Sequence, residues 1–123
     1  GVRIGYDEDY AHRLIAGADA LIVPSRFEPC GLTQLYAMRY GTLPVVRAVG
    51  GLADTVDDET GFCFRGADTG LSEVLRRTLD CYRQPIRWSQ KIQAAMQCDF
   101  SWSVAATEYL QLYTKLRASS MTT

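Results

Sequence analysis

The chain has no excess of charge of either sign. Thirteen Lys and Arg face fourteen Asp and Glu, a formal net charge of −1, so it lacks the basic footprint that nucleic acid or an anionic membrane surface selects. A neutral or small anionic ligand stays open. Long hydrophobic runs are missing too: no apolar stretch approaches the roughly 20 residues that span a bilayer, and Gly1 to Tyr6 does not have the charged-then-apolar layout of a signal peptide. There is a single histidine, His12, with no cysteine beside it, and Cys30, Cys63, Cys81 and Cys98 form no C-x-x-C pair. That spacing argues against a thiolate metal cluster. No serine or cysteine has an evident His–Asp partner, which leaves nucleophilic hydrolysis without support. Internal repeats and low-complexity linkers are also absent.

What is present is ordinary globular material. With 47% hydrophobic and 22% charged residues in 123, the expectation is one soluble domain, residues 1–123. A chain of this size builds a core without disulfides, so reduced thiols in a reducing compartment are the simpler expectation. The sequence opens directly on Val2-Arg3-Ile4 with no initiator methionine, as a piece of a longer protein would.

Hydrophobic periodicity divides the chain into alternating elements. Val2 to Ile4 reads as a short strand ended by Gly5. Asp7-Glu8-Asp9 suits the first turn of a helix that runs to about Ala16, with Tyr10, Leu14 and Ala18 as its buried stripe. Ala20-Leu21-Ile22-Val23 is a continuous apolar run, too short for a helix, and reads as a central parallel strand covered on both faces. A helix then ends before Gly41, and Leu43-Pro44-Val45-Val46 is the next strand. A short helical turn is expected over Leu52 to Val56, followed by a polar loop over Asp57 to Thr60 and a brief strand over Gly61 to Phe64. From Gly70, Leu71, Val74, Leu75 and Leu79 mark a helix stopped by Pro85. Further helices are expected over about Ile86 to Met96 and Val104 to Leu116, so that 86–117 is largely helical, and Ser119 to Thr123 reads as a frayed tail. Strands alternating with helices indicate an α/β, Rossmann-like parallel sheet with helices on both faces.

Sheets of this kind bind ligands beyond the carboxyl ends of their strands. That rule selects Tyr6, the segment Ser25 to Thr33, and Val49 to Leu52. Pro24-Ser25-Arg26-Phe27-Glu28-Pro29-Cys30-Gly31-Leu32-Thr33 joins a strand to a helix. The free N–H groups of a helix start suit a phosphate, and glycine permits its close approach. Glu28 would repel phosphate, so it either accepts hydrogen bonds from sugar hydroxyls or simply caps the helix. Spacing leaves both open. Gly50-Gly51 provides positive φ, close ligand approach or only a tight turn, and Tyr6 either stacks on a nucleobase or is half-buried. His12 reads as a surface or core-edge residue. Trp102, Tyr109 and Tyr113 read as packing residues. Arg26, Arg39 and Arg47 meet anions or solvent, and spacing does not choose.

The run Pro24 to Gly41, PSRFEPCGLTQLYAMRYG, followed by Gly50-Gly51-Leu52-Ala53-Asp54-Thr55-Val56, resembles bacterial glycogen synthases and plant starch synthases. Gly5-Tyr6 and Asp99-Phe100-Ser101-Trp102 extend the resemblance over nearly the whole chain. It implies the carboxy-terminal half of a two-domain GT-B glycosyltransferase, which transfers glucose from ADP-glucose to an α-1,4-glucan with retention of configuration. By the same resemblance Glu28 is the catalytic residue and contacts glucose hydroxyls. Tyr6 would stack on adenine, Cys30 and Gly31 would seat the sugar, and Leu32 and Thr33 would present amides to the diphosphate. Ser25, Gly50 and Gly51 complete the substrate-binding set. No metal or other cofactor is implied. The glucan would meet an amino-terminal domain outside this chain, as would basic residues that neutralise the donor phosphates, so this chain would bind donor without catalysing transfer. The compartment would be bacterial cytoplasm or plant plastid. Related retaining transferases carry a second glutamate eight positions after the first, where this chain has Tyr36. That departure speaks against a sucrose-synthase-like enzyme. The alternative is a nucleotide-binding or interaction module of the same fold without transferase activity.

Overall fold

The computed structural model describes residues 1–66 and 68–120. In chain order the elements are α1 (Glu8–Ala16), β1 (Ala20–Val23), α2 (Thr33–Tyr40), β2 (Leu43–Arg47), α3 (Gly51–Thr55), β3 (Phe62–Phe64), α4 (Asp68–Tyr82), α5 (Pro85–Gln97) and α6 (Trp102–Ser120). The three strands form one parallel sheet in the order β1-β2-β3. Ala20 pairs with Leu43 and Val23 with Val46, while Val45 pairs with Phe62 and Arg47 with Phe64. This is an α/β fold with a small parallel sheet flanked by helices.

Local chemistry sets most of the boundaries. Asp7 adopts an extended conformation and its carboxylate accepts from the Tyr10 N–H at 3.0 Å, capping α1, whose first turn carries Glu8 and Asp9 against the helix dipole. α4 gives way to α5 at Pro85, which occupies the first turn of a helix, where a missing N–H is harmless. Thr42 is buried between α2 and β2, and its hydroxyl lies 2.6 Å from the Ile15 carbonyl and 2.9 Å from that of Ala18. Its single proton, lying between the two carbonyls, ties the turn after α1 to the start of β2, and the Ile15 carbonyl also accepts from the Ala18 N–H.

The core is centred on β2. Leu43, Pro44, Val45 and Val46 are all buried, and because successive side chains point to opposite faces, both faces of β2 are covered. Met38 from α2, Leu52 from α3, Phe62 and Phe64 from β3, Val74 and Cys81 from α4, and Trp88 and Ala95 from α5 fill the space around it. Trp88 stacks over Phe62 at 6.2 Å and meets the edge of Tyr82 at 5.0 Å, geometries that suit aromatic quadrupoles. Lys91 closes the bottom of this cluster, lying 4.8 Å from the Phe62 ring and donating to the carbonyls of Asp58 and Gly61.

Several expectations from the sequence are corrected here. Val2 to Ile4 forms no strand, and its apolar side chains are 93% and 96% exposed, because no described strand lies beside it to take up its N–H and C=O groups. β1 is an edge strand of the described sheet, with Ile22 47% exposed, and β2 is the central one. In α1 the inward residue is Ile15 rather than Leu14, since the helix is rotated to lay His12 against Tyr36 and Tyr40 of α2. In α4, Thr78 and Cys81 are buried while Leu79 is exposed. The aromatic residues of α6 are not packed into the core: Trp102, Tyr109 and Tyr113 are exposed, Tyr109 and Tyr113 meeting each other at 6.4 Å, and of the described side chains of α6 only that of Ala105 is even half-buried. α6 continues through Ser120, into the expected tail, and residues 121–123 lie outside the described residues.

Candidate functional site

The loops after β1 and β2 meet backbone on backbone. The Gly51 N–H donates to the Glu28 carbonyl at 3.1 Å. A Cβ on Gly50 would lie on that same carbonyl, and one on Gly51 would come within 2.6 Å of the Cys30 Cα. Gly50 also has φ 46° and ψ −137°, a conformation that L side chains rarely adopt. Of the readings left open for this glycine pair, positive φ applies to Gly50, and what approaches both glycines closely is the backbone of Glu28 and Cys30. The contact is what sets the Glu28–Gly31 segment against the start of α3.

Within this segment the half-buried Glu28 carboxylate accepts from the Ser25 hydroxyl at 3.4 Å. Glu28 does not cap α2: the position preceding that helix is Leu32, and no side chain caps it. The helix thus starts with uncommitted donors. No described residue accepts from the N–H groups of Gly31, Leu32 or Thr33. Gly31 has φ 75° and Leu32 is right-handed, a succession that arranges neighbouring N–H groups around a concave, anion-seeking spot. Leu32, Thr33 and Cys30 are exposed, with the Cys30 thiol directed to the Gly31 carbonyl at 3.7 Å. A carboxylate suited to hydroxyl groups and a row of amides suited to phosphate consequently lie within one turn of chain.

The structure brings together Ser25, Glu28, Cys30, Gly31, Leu32, Thr33, Gly50 and Gly51, but no described contact joins Tyr6 to them. Tyr6 is 92% exposed, beside an open hollow lined by residues 1–14 alone. Arg3 in that hollow pairs with Asp7 at 2.8 Å and lies over the Tyr10 ring at 4.0 Å. His12 is at the α1–α2 contact, its Nδ1 3.0 Å from the Tyr40 hydroxyl and its ring 4.7 Å from that of Tyr36. Arg26, Arg39 and Arg47 enter no ion pair among the described residues. Nor do three His, Cys, Asp or Glu side chains gather there into a group able to hold a metal ion. No described helix is long and apolar enough to cross a membrane.

One residue of the site escaped the sequence reading. Gln34, in the first turn of α2, is fully buried, and its Nε2 lies 3.2 Å from the Cys30 carbonyl, 2.9 Å from that of Gly31 and 3.2 Å from the Thr55 hydroxyl. A polar residue at a helix start reads as solvent-facing, and nothing local in the sequence signals its burial. Its one detectable sign is position, directly after the loop that carries the candidate residues.

Comparison with known proteins gives the family. Residues 3–95 match the family Glycosyl transferases group 1. The chain is 52% identical over 120 residues to a glycogen synthase of Marinomonas sp. (strain MWYL1), covering 94% of this chain and 25% of that protein. It is 50% identical over 127 residues to a glycogen synthase of Serratia proteamaculans (strain 568), covering 94% and 27%. Among solved structures, the catalytic domain of starch synthase IV from Arabidopsis thaliana bound to ADP and acarbose superposes with a TM-score of 0.80 at 40% identity, over 91% of this chain and 25% of that one. A sucrose-phosphate synthase from Thermosynechococcus elongatus gives 0.67 at 32% identity, over 93% and 29%. The chain spans about a quarter of the length of the curated relatives it matches. It belongs to the group 1 glycosyl transferases, as a GT-B member related along nearly its whole length to part of bacterial glycogen synthase and plant starch synthase.

Proposed function

We propose that this chain is the carboxy-terminal, nucleotide-sugar-binding part of a retaining glucosyltransferase that extends an α-1,4-glucan from ADP-glucose. The observation that carries the reading is the pairing of the Glu28 carboxylate with the uncommitted N–H groups of Gly31, Leu32 and Thr33 on one short loop, braced by Gly50-Gly51. A simple nucleotide binder has no use for a carboxylate beside a phosphate cradle. The related starch synthase with ADP and acarbose bound supports the choice of an adenine donor and a glucan acceptor.

In this reading the amides of Leu32 and Thr33 hold the donor diphosphate and stabilise the charge that grows on it as it leaves. Cys30 and Gly31 seat the glucose through their backbone. Glu28 accepts hydrogen bonds from glucose hydroxyls and, as the acidic residue of this loop, offsets positive charge in an oxocarbenium-like transition state. The bond from C1 of glucose to the phosphate oxygen breaks. A bond from C1 to an acceptor hydroxyl oxygen forms on the same face, and the hydroxyl proton leaves with the diphosphate. Tyr6 is assigned to the adenine, and the glucan to an amino-terminal domain. The compartment that fits such a donor is bacterial cytoplasm or plant plastid.

Calorimetric titration with ADP-glucose, ADP and UDP-glucose tests the assignment. Hydrogen bonds to a charged group contribute about 1.5–3 kcal/mol, so Glu28→Ala weakens ADP-glucose by roughly ten- to a hundredfold and leaves ADP unchanged. UDP-glucose binds less tightly than ADP-glucose. Equal loss for ADP and ADP-glucose, or no saturable binding of either by the wild-type chain, contradicts the reading. The chain alone is expected to bind donor without extending glucan, and measurable extension by it would refute that part.

A further inference from the structure

Gln34 is the one buried side chain of the described residues that is left with an unpartnered polar atom. Its Oε1 has no donor, and lies so close beneath Gly31 that a Cβ there would come within 2.6 Å of it. Turning the amide over gives no relief. Its oxygen would then face the carbonyls of Cys30 and Gly31 and the Thr55 hydroxyl, whose proton is committed to the Gly51 carbonyl at 2.7 Å. Nε2 must therefore point at these three oxygens, and Oε1 must stay unpaired. An apolar side chain of the same length would spare that cost but would leave the Cys30 and Gly31 carbonyls without their donor.

The grip on the two carbonyls has a geometric result. In a trans peptide the C=O of one residue and the N–H of the next point in opposite directions, and the structure has no cis bond. Carbonyls of Cys30 and Gly31 held inward on Gln34 send the N–H groups of Gly31 and Leu32 the other way, to the side where no described residue accepts from them. Through Thr55 the same amide is joined to the Gly51 carbonyl, so both halves of the loop contact share one anchor. We propose that Gln34 is a positioning residue, which holds the Cys30 and Gly31 carbonyls inward and so fixes the Gly31 and Leu32 N–H groups as preorganised donors, that of Leu32 for the diphosphate and that of Gly31 for the sugar beside it. This rests on the nucleotide-sugar reading given above and adds to it the residue that aims the phosphate cradle. Fixed donors stabilise developing charge without reorganising when it appears.

The experiment combines ADP titration with amide order, measured by 15N relaxation and hydrogen exchange, on the wild-type chain, Gln34→Met, Gln34→Glu and a control, Val74→Ala, whose side chain is in the core away from the loop. In Gln34→Met the Gly31 and Leu32 amides lose order and ADP affinity falls about tenfold or more, the effect of misplacing one charge-assisted hydrogen bond. In Gln34→Glu, burial at this position raises the carboxyl above its ordinary range, so that at pH 5 it donates one hydrogen bond and recovers part of both, a recovery lost at pH 8. Val74→Ala loses stability yet keeps loop order and ADP affinity. The proposal is overturned if Gln34→Met retains ordered Gly31 and Leu32 amides with ADP affinity within about twofold, or if Val74→Ala reproduces its losses. A wild-type chain that binds no ADP overturns the diphosphate assignment instead, and amide order in Gln34→Met then still reports whether the glutamine holds the loop.

Discussion

The contact between the two loops makes Gly50→Ala the most informative single change to the scaffold. Gly50 has φ 46° and ψ −137°, and forcing a residue with a Cβ into such a conformation costs on the order of 1–3 kcal/mol. The new methyl would also lie on the Glu28 carbonyl, so the loops must separate. Separation breaks the 3.1 Å bond from the Gly51 N–H to that carbonyl, about another 1 kcal/mol. The combined loss, about 2–4 kcal/mol, is a large fraction of the roughly 5–15 kcal/mol that holds a domain together. Urea denaturation of wild type and variant measures it directly, with the m-value checking that both unfold in one step. Because the displaced carbonyl belongs to Glu28, ADP-glucose affinity should fall as well, even at denaturant-free conditions where the variant is folded. A stability loss under about 0.5 kcal/mol, the size of an ordinary surface substitution, together with unchanged ADP-glucose affinity, would refute the argument that the glycine pair braces the carboxylate loop.

Other consequences are checked more simply. Thr42→Val removes the hydroxyl between the Ile15 and Ala18 carbonyls and should cost about 1 kcal/mol in urea denaturation, the net contribution of one hydrogen bond, since the Ile15 carbonyl keeps the Ala18 N–H; loss of protection should centre on the turn after α1. Asp57 has burial raising its carboxyl, but the hydroxyl and N–H of Thr60, the N–H of Glu59 and the charge of Lys91 together hold it below the usual value of 3.8. A lowered folded value means stability that is present above 3.8 and is lost as pH falls through the folded value, so the stability gap between wild type and Thr60→Val should be widest at pH 7 and shrink below about pH 4. Burial, helped by Asp58 and Asp57, pushes the Cys63 thiol up, and burial with Asp57 does the same for Cys98, whereas Cys30 is exposed. Labelling with a thiol reagent at pH 8, read by peptide mass spectrometry, should therefore modify Cys30 first, since the thiolate is the reactive form.

How much of this was legible in the sequence follows from the range over which each feature is determined. β2 and the loop after β1 were legible, because an uncharged run such as Leu43 to Val46 and a polar, glycine-bearing turn carry their signal locally. Val2 to Ile4 misled, since strand propensity reports on side-chain shape and not on whether a neighbouring strand is there to be bonded. Period-four spacing found α1 but set its buried face one residue off: the contact of His12 with Tyr36 and Tyr40, more than twenty positions away, decides the rotation. α6 shows the same limit, for an apolar pattern does not say what covers it. That Glu28 does not cap α2 was visible only in three dimensions, where Leu32 takes the position before the helix. Gln34 was invisible because its partner Thr55 is 21 residues later, a pairing made by tertiary structure alone.

The most direct measurement of the central claim is amide chemical-shift mapping of the 15N-labelled chain as ADP-glucose is added. The account predicts saturable shifts concentrated at Gly31, Leu32, Thr33, Gly50 and Gly51, with those of Leu32 and Thr33 reproduced by ADP and those of Gly31 and nearest Glu28 requiring the sugar. Shifts confined to the Tyr6 hollow or to α6, with the Ser25 to Thr33 loop unmoved at saturation, would contradict it.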